Sequence, residues 1–175
     1  KNKILWGGER KLIEDLSELP FPYPDLSKEK NKIFYYESSR GCPFNCSYCL
    51  SSIDKSVRFV KLEKVFSDLK IFLDERVPLV KFVDRTFKIK KKRYIAIWNY
   101  IIDNWNGVTT FHFEIAAHTI SENAFEVLEK IPKGAIQFEI GVQSVNPKTL
   151  AACGRNTDFE IIDKNVSRIP KTIHM

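Results

Sequence analysis

Hydrophobic positions change rhythm repeatedly along the chain. From Lys32 onward, short β-rich runs alternate with stretches whose apolar residues recur every three or four positions. Ile33-Phe34-Tyr35-Tyr36-Glu37-Ser38 predicts a first strand. Leu62, Val65, Phe66, Leu69, Phe72 and Leu73 then fall at helical spacing within Leu62–Glu75. Pro78 ends that helix, Leu79–Val83 reads as a buried strand, and Tyr94–Trp105 as a second helix closed by Asn106-Gly107. A third strand is expected at Phe111–Ala116, and a helix over Glu122–Lys130 opened by Ser121. A fourth strand follows at Ile136–Val142, and then a helix from Asp158 to about Arg168. Lys171-Thr172-Ile173-His174 begins a fifth strand. Strands and helices in strict alternation imply crossover connections and a parallel sheet. The expected fold is α/β: a partial (β/α) TIM-type barrel of about four complete βα units, truncated at the fifth strand. Ligands in such folds bind at the carboxyl ends of the strands, so residues with chemical potential should gather there.

The first residues follow another pattern. Lys11–Leu19 predicts a short helix, and Leu19-Pro20-Phe21-Pro22-Tyr23-Pro24-Asp25 carries prolines at alternate positions. Such a run removes backbone donors and favours an extended path, so it reads as a connector lying against the surface. The expected organisation is an N-terminal linker over residues 1–31 and a partial core domain over 32–175. Nothing in Lys1–Glu18 builds a core alone, so a further segment is expected upstream.

Composition narrows the class. With 43% hydrophobic and 13% aromatic residues but only 7 Gly in 175, the chain is neither disordered nor a flexible linker. No apolar run approaches the ~18 residues of a membrane span, and the start lacks a secretory apolar stretch. The net charge of +6 permits a phosphate-bearing partner without requiring one. Much of it lies in Lys88-Ile89-Lys90-Lys91-Lys92-Arg93, which reads as a solvated helix start, so nucleic acid is not the expected partner.

The cysteines change the picture most. Cys42, Cys46 and Cys49 lie together in Arg40-Gly41-Cys42-Pro43-Phe44-Asn45-Cys46-Ser47-Tyr48-Cys49, directly after the first strand, while Cys153 stands far away. Clustered thiols in a chain of this size favour an intracellular, reducing compartment and a metal or cluster site over a disulfide scaffold. Three convergent thiolates suit a soft centre. A structural zinc ion would want a fourth ligand, and His112, His118 and His174 are all distant in sequence. A four-iron cluster on three cysteines leaves one iron open to a small molecule. Cluster, zinc ion and inert loop all remain open on spacing alone.

The pattern Cys42-x-x-x-Cys46-x-Tyr48-Cys49 resembles the signature of the radical S-adenosylmethionine (SAM) enzymes, and the likeness extends over Ile33–Met175. Membership would imply a 4Fe-4S cluster on Cys42, Cys46 and Cys49 whose free iron chelates SAM. Reductive cleavage of SAM would then give a 5′-deoxyadenosyl radical that abstracts hydrogen from a substrate. Phe113-Glu114-Ile115 resembles the third-strand segment whose Glu contacts the bound nucleoside or methionine. Ile140-Gly141-Val142-Gln143-Ser144 resembles the fourth-strand segment of the branch shared by oxygen-independent coproporphyrinogen oxidases and cobalamin-linked members. Arg155, twelve residues beyond Gln143, matches an Arg that meets the methionine carboxylate, a task suited to a guanidinium. The usual second-strand Gly-Gly-Glu segment is replaced by Val83-Asp84-Arg85-Thr86-Phe87, similar to a variant in cobalamin-linked and methylthiotransferase-like members. There Asp84 would accept from the SAM amino group. Tyr48, Asp84, Glu114, Gln143 and Arg155 are thus the implied cofactor contacts; no catalytic residue is assigned.

The proline run resembles the linker that follows a cobalamin-binding domain, implying cobalamin through a domain outside this chain. The resemblance further implies a small-molecule substrate, an electron donor such as flavodoxin or ferredoxin, and a cytoplasmic enzyme. A tRNA methylthiotransferase-like enzyme and a non-catalytic zinc module are the competing readings. Gly41 is expected to allow a backbone angle or close approach denied to other residues. Cys153 reads as a small buried hydrophobe, His112 and His118 as ordinary polar positions, and Asp84 otherwise as a helix-opening residue.

Overall fold

Alternation within each strand decides which face of the sheet is buried. The computed structural model describes residues 4–8, 10–29, 32–155 and 157–175. Its main sheet contains β1 (Ile33–Tyr36), β4 (Leu79–Phe82), β5 (Thr110–Ile115) and β6 (Ile136–Ile140), all parallel and in that spatial order. Between β1 and β4, β2 (Ser39–Arg40) pairs antiparallel with β3 (Arg58–Phe59). The helices are α1 (Leu62–Asp74), α2 (Lys91–Asn104), α3 (Glu122–Leu128), α4 (Pro147–Ala152) and α5 (Phe159–Ser167). The expected α/β core is present as four parallel strands with helical crossovers. At the chain's end, an isolated parallel bridge between Gln137 and His174 marks where a fifth strand would join β6.

Phe34, Tyr36, Val80, Phe82, Phe111, Phe113, Ile136 and Phe138 share one face of the sheet and are buried. Phe72 of α1 packs against Phe34 and Tyr36, and Trp98 of α2 against Phe113 and Phe138. The opposite face carries Tyr35, Lys81, His112, Glu114, Gln137 and Glu139, paired across the strands. One face is therefore a hydrophobic core and the other a polar surface of the kind that lines a barrel interior.

Several expectations need correction. Lys11–Leu19 is not a helix: it contains one 3-10 turn, Leu16–Glu18. Asp15 accepts from the Ser17 amide and Ser17 Oγ from the Lys61 amide, local bonds that compete with helix formation. Lys1–Lys3, Glu9, Lys30 and Asn31 of the expected linker lie outside the described residues. The rest of that stretch packs onto the domain, with Leu16 and Leu26 buried in the main core. The Tyr23 hydroxyl accepts from the Tyr35 amide and donates to its carbonyl, covering the β1 edge.

The basic run also departs from expectation at its first residue. Lys88 is only 6% exposed, with Nζ 3.4 Å from Thr119 Oγ1 and 5.2 Å from the Tyr94 ring centre. Burial pulls its ammonium down to about 7 from an ordinary 10.5. Between those values the unfolded chain holds the extra proton, so folding stability gains from this group as pH rises from about 7 toward 10.5, and its full cost remains below 7. Lys88→Met is expected to raise unfolding free energy by roughly 2–5 kcal/mol at pH 6. The advantage should shrink to about 1 kcal/mol or less by pH 10. Urea midpoints of both proteins across pH 6–10 check the difference.

Candidate active site

The cysteine loop is suspended from the short β2–β3 ladder. Gly41 leaves β2 at φ +100°, and an added Cβ would overlap the Ser56 carbonyl oxygen, so the turn requires both the angle and the close approach. The Cys42 amide donates to Asp54 O at 2.9 Å, which ties the first cysteine to the returning limb. The far limb is fixed elsewhere. Ser47 N donates to Cys153 O at 2.9 Å, and Gly154, at φ +66°, packs so closely that a Cβ would lie 2.6 Å from Asn45 O.

This second clamp depends on α4, which the pattern of apolar residues does not announce. Its local signal is Asn146-Pro147: the Asn146 side chain accepts from the Lys148 amide, with Pro at the first helical position. The turn after α4 carries Arg155 inward. Arg155 donates to Tyr48 Oη at 3.0 Å and to Gly141 O at 2.6 Å, so a helix, a strand end and the cysteine loop meet at one guanidinium.

A cavity of about 280 Å³ opens between these elements, at the carboxyl ends of β4, β5 and β6. Its walls bring together Cys42, Cys46, Cys49, Tyr48, Glu114, Gln143 and Arg155. Asp84 is not among them. Its carboxylate is instead 1% exposed and accepts from Ser38 N, Ser38 Oγ and Ser39 Oγ, each at 2.6 Å. Burial pushes this carboxyl group up, against three donors that favour its ionised form. In place of a ligand contact or helix-opening residue, the structure has a buried tie between the ends of β1 and β4.

Glu114 Oε1 lies 3.2 Å from Lys81 Nζ, which also reaches Glu139 Oε2 at 3.1 Å. His112 Nε2 stands 3.4 Å from the same Glu139 oxygen, and burial, then Lys81, lowers its pKa. Gln143 adopts φ +68°, uncommon for a residue with a side chain. Gly141 accommodates it, since a Cβ there would overlap Gln143 Nε2. Strain of this kind collects at functional sites.

Arg85, Thr86, His118 and Glu139 also line the cavity and were not singled out by sequence as contacts. His118 reads in sequence as an ordinary polar position, yet among the described residues its Nδ1 is buried without a hydrogen-bond partner. Burial, then the charge of Arg155, lowers its pKa. Cys153, read as a buried hydrophobe, is half-buried beside Tyr48, Gln143 and Arg155 in a smaller adjoining cavity.

The four cysteines are free thiols. Among the described residues no three His, Cys, Asp or Glu side chains gather closely enough to chelate a single ion; Cys42, Cys46 and Cys49 instead share the wall of one cavity. Soft sulfur donors beside guanidinium, carboxylate, amide and an orphaned imidazole nitrogen fit an iron–sulfur cluster with a polar nucleotide next to it.

The profile of the Radical SAM superfamily matches residues 36–174. The chain belongs to the radical SAM superfamily. The superfamily is one of enzymes that use a 4Fe-4S cluster and SAM as cofactors. Among curated relatives, the chain is 30% identical over 155 residues to "Uncharacterized methyltransferase PH0819" of Pyrococcus horikoshii, covering 83% of this chain and 33% of that protein. The chain thus spans about a third of that relative's length. Solved radical SAM structures share its fold. OxsB, a cobalamin-dependent radical SAM enzyme solved with aqua-cobalamin and SAM, superposes with a TM-score of 0.72 at 21% identity, over 91% of this chain and 25% of OxsB. TsrM, a radical SAM methyltransferase from Kitasatospora setae solved with tryptophan and a SAM analogue, gives 0.66 at 14% identity, over 79% and 28%. Among the described residues, no helix of this radical SAM core is long and apolar enough to cross a membrane.

Proposed function

We propose that this chain is the catalytic core of a cobalamin-linked radical SAM methyltransferase acting on a small molecule. The observation that carries the reading is the single cavity in which three clustered thiols meet Tyr48, Glu114, Gln143 and Arg155. The names of the relatives point to methyl transfer and to cobalamin, which a domain outside this chain would supply.

In this reading Cys42, Cys46 and Cys49 hold the cluster, which supplies one-electron reduction, while SAM supplies the group to be transferred. Arg155, already fixed by Tyr48 and Gly141, presents its charge to the methionine carboxylate. Glu114, held by Lys81, and Gln143 offer acceptors and a donor to the ribose and amino-acid groups. His118 offers a ring nitrogen, Nδ1, that has no partner among the described residues. Ile115 and Ala116 supply an apolar wall that limits water. An electron donor such as flavodoxin or ferredoxin and a cytoplasmic setting complete the proposal.

Iron, sulfide and zinc analysis after anaerobic reconstitution of the intact protein tests it. About four irons per chain are expected, with loss of nearly all iron in Cys42→Ala, Cys46→Ala or Cys49→Ala. SAM should be consumed under strong reductant with cobalamin present. One zinc and no iron, or a loaded cluster that leaves SAM unbound, would overturn the assignment.

A further inference from the structure

The three thiols of the cavity are not equivalent. Cys42 is 8% exposed, whereas Cys46 and Cys49 are half-buried. The Cys42 sulfur lies 3.0 Å from the hydroxyl of Thr86, itself only 9% exposed. That hydroxyl in turn donates to Arg85 O at 2.7 Å. The free protein accordingly holds a short relay, with the Cys42 S–H donating to Thr86 and Thr86 donating to the backbone.

Coordination breaks this relay. A cysteine sulfur bound to iron carries no proton, so a hydrogen bond between the pair then requires Thr86 to donate. Its one proton turns from Arg85 O to the ligand sulfur. The hydroxyl is placed for this by its neighbours in sequence. Two residues before it, Asp84 is locked by three donors from Ser38 and Ser39. Directly after it, buried Phe87 packs against Phe113 at 4.3 Å and Phe82 at 5.4 Å between ring centres. Thr86 thus stands between two anchored side chains, and little water can replace it.

We propose that Thr86 is the positioning residue that hydrogen-bonds the Cys42 ligand sulfur and thereby raises the reduction potential of the cluster. The inference rests on the cluster assignment made above and deepens it. A donor aimed at a ligand sulfur favours the more negatively charged, reduced cluster, and such bonds are among the levers that set iron–sulfur potentials. Burial increases the effect because little solvent reaches the pair to screen it. Cys49 offers the contrast: it and neighbouring Ser51 lie in a half-buried segment where water can take a donor's place.

The test compares the intact, anaerobically reconstituted protein with Thr86→Val, Thr86→Ser and Ser51→Ala, titrated with sodium dithionite and redox mediators and read by electron paramagnetic resonance. Thr86→Val should load iron as the wild type does. At a fixed poise its ratio of reduced to oxidised cluster should be lower by roughly tenfold, a downward shift of about 59 mV for one electron. Thr86→Ser should restore most of the ratio, and Ser51→Ala should lower it less. Equal potentials in wild type and Thr86→Val, or a larger shift in Ser51→Ala, overturn the inference. Should the valine variant not fold, resonance Raman spectra of wild type and Thr86→Ser in H2O and D2O decide it. Isotope-sensitive Fe–S(Cys) bands in both proteins support the bond, and insensitive bands overturn it. A wild type that takes up no iron instead defeats the cluster assignment, a distinct result.

Discussion

Gly41→Ala is expected to reduce iron loading at least tenfold while leaving most of the sheet folded. The residue sits at φ +100°, and a Cβ would come within 2.9 Å of the Ser56 carbonyl carbon and 3.2 Å of Val57 Cα, besides overlapping the Ser56 oxygen. Both contacts are backbone, so no flexible side chain can move away. The conformation alone costs about 1–3 kcal/mol for a residue with a side chain, and separating the two limbs adds to it. The next residue is Cys42, whose amide bond to Asp54 O depends on that approach. A displacement here moves a sulfur as well as a turn. Each ~1.4 kcal/mol spent in holding the loop is a factor of ten in occupancy of whatever it binds. Iron per chain after reconstitution measures the loss, and far-UV circular dichroism reports whether the sheet survives. Gly7→Ala is the comparison, since nothing lies within 4 Å of a Cβ there; it should load normally.

The strands and long helices were legible because each buries one stripe or one face. In β5, Phe111, Phe113 and Ile115 alternate with His112 and Glu114, and the structure places them on opposite faces accordingly. The helix at Leu62 was readable for the same reason, since Val65, Leu69, Phe72 and Leu73 all reach the core. Elements too short to establish a period left no such trace. The two-residue β2 and β3, which hold the cysteine loop, are specified by a single turn geometry at Gly41 and by pairing across residues 39–59. Helix α4 is six residues long and signalled only by its Asn-Pro start.

Within the site, spacing led to the three cysteines and the family resemblance to Tyr48, Glu114, Gln143 and Arg155, and the fold gathers all seven at one cavity. Asp84 and Lys88 show what such reasoning lacks. Both lie in the segment after β4, and a charged residue in a loop reads as solvent-facing or ligand-facing. Burial depends on what folds over the segment. Asp84 meets Ser38 and Ser39 across 46 and 45 residues of sequence, and Lys88 meets Thr119 across 31. Thr86 was hidden for the same reason: its relation to Cys42 spans 44 residues.

The largest loss of stability is expected from Phe113→Ala. Phe113 is fully buried at the meeting point of the core, with ring centres 4.4 Å from Phe82, 4.3 Å from Phe87, 6.4 Å from Trp98 and 6.5 Å from Phe138. These rings come from two neighbouring strands, one helix and the segment carrying Thr86, so no one element can move inward to fill the space. Truncating a buried Phe costs about 3–5 kcal/mol where the site cannot collapse, a large part of the ~5–15 kcal/mol that holds a domain together. Urea unfolding of the intact protein should show the shift in midpoint. Tyr35→Ala, which removes a half-exposed ring from the other face, should change it by no more than about 0.5 kcal/mol. The two outcomes together separate the sheet's faces by function. Because Glu114 follows Phe113 on the same strand and points to the cavity side, the core substitution should also weaken SAM binding. Any core truncation that spares β5 and the Asp84–Phe87 segment should cost stability alone.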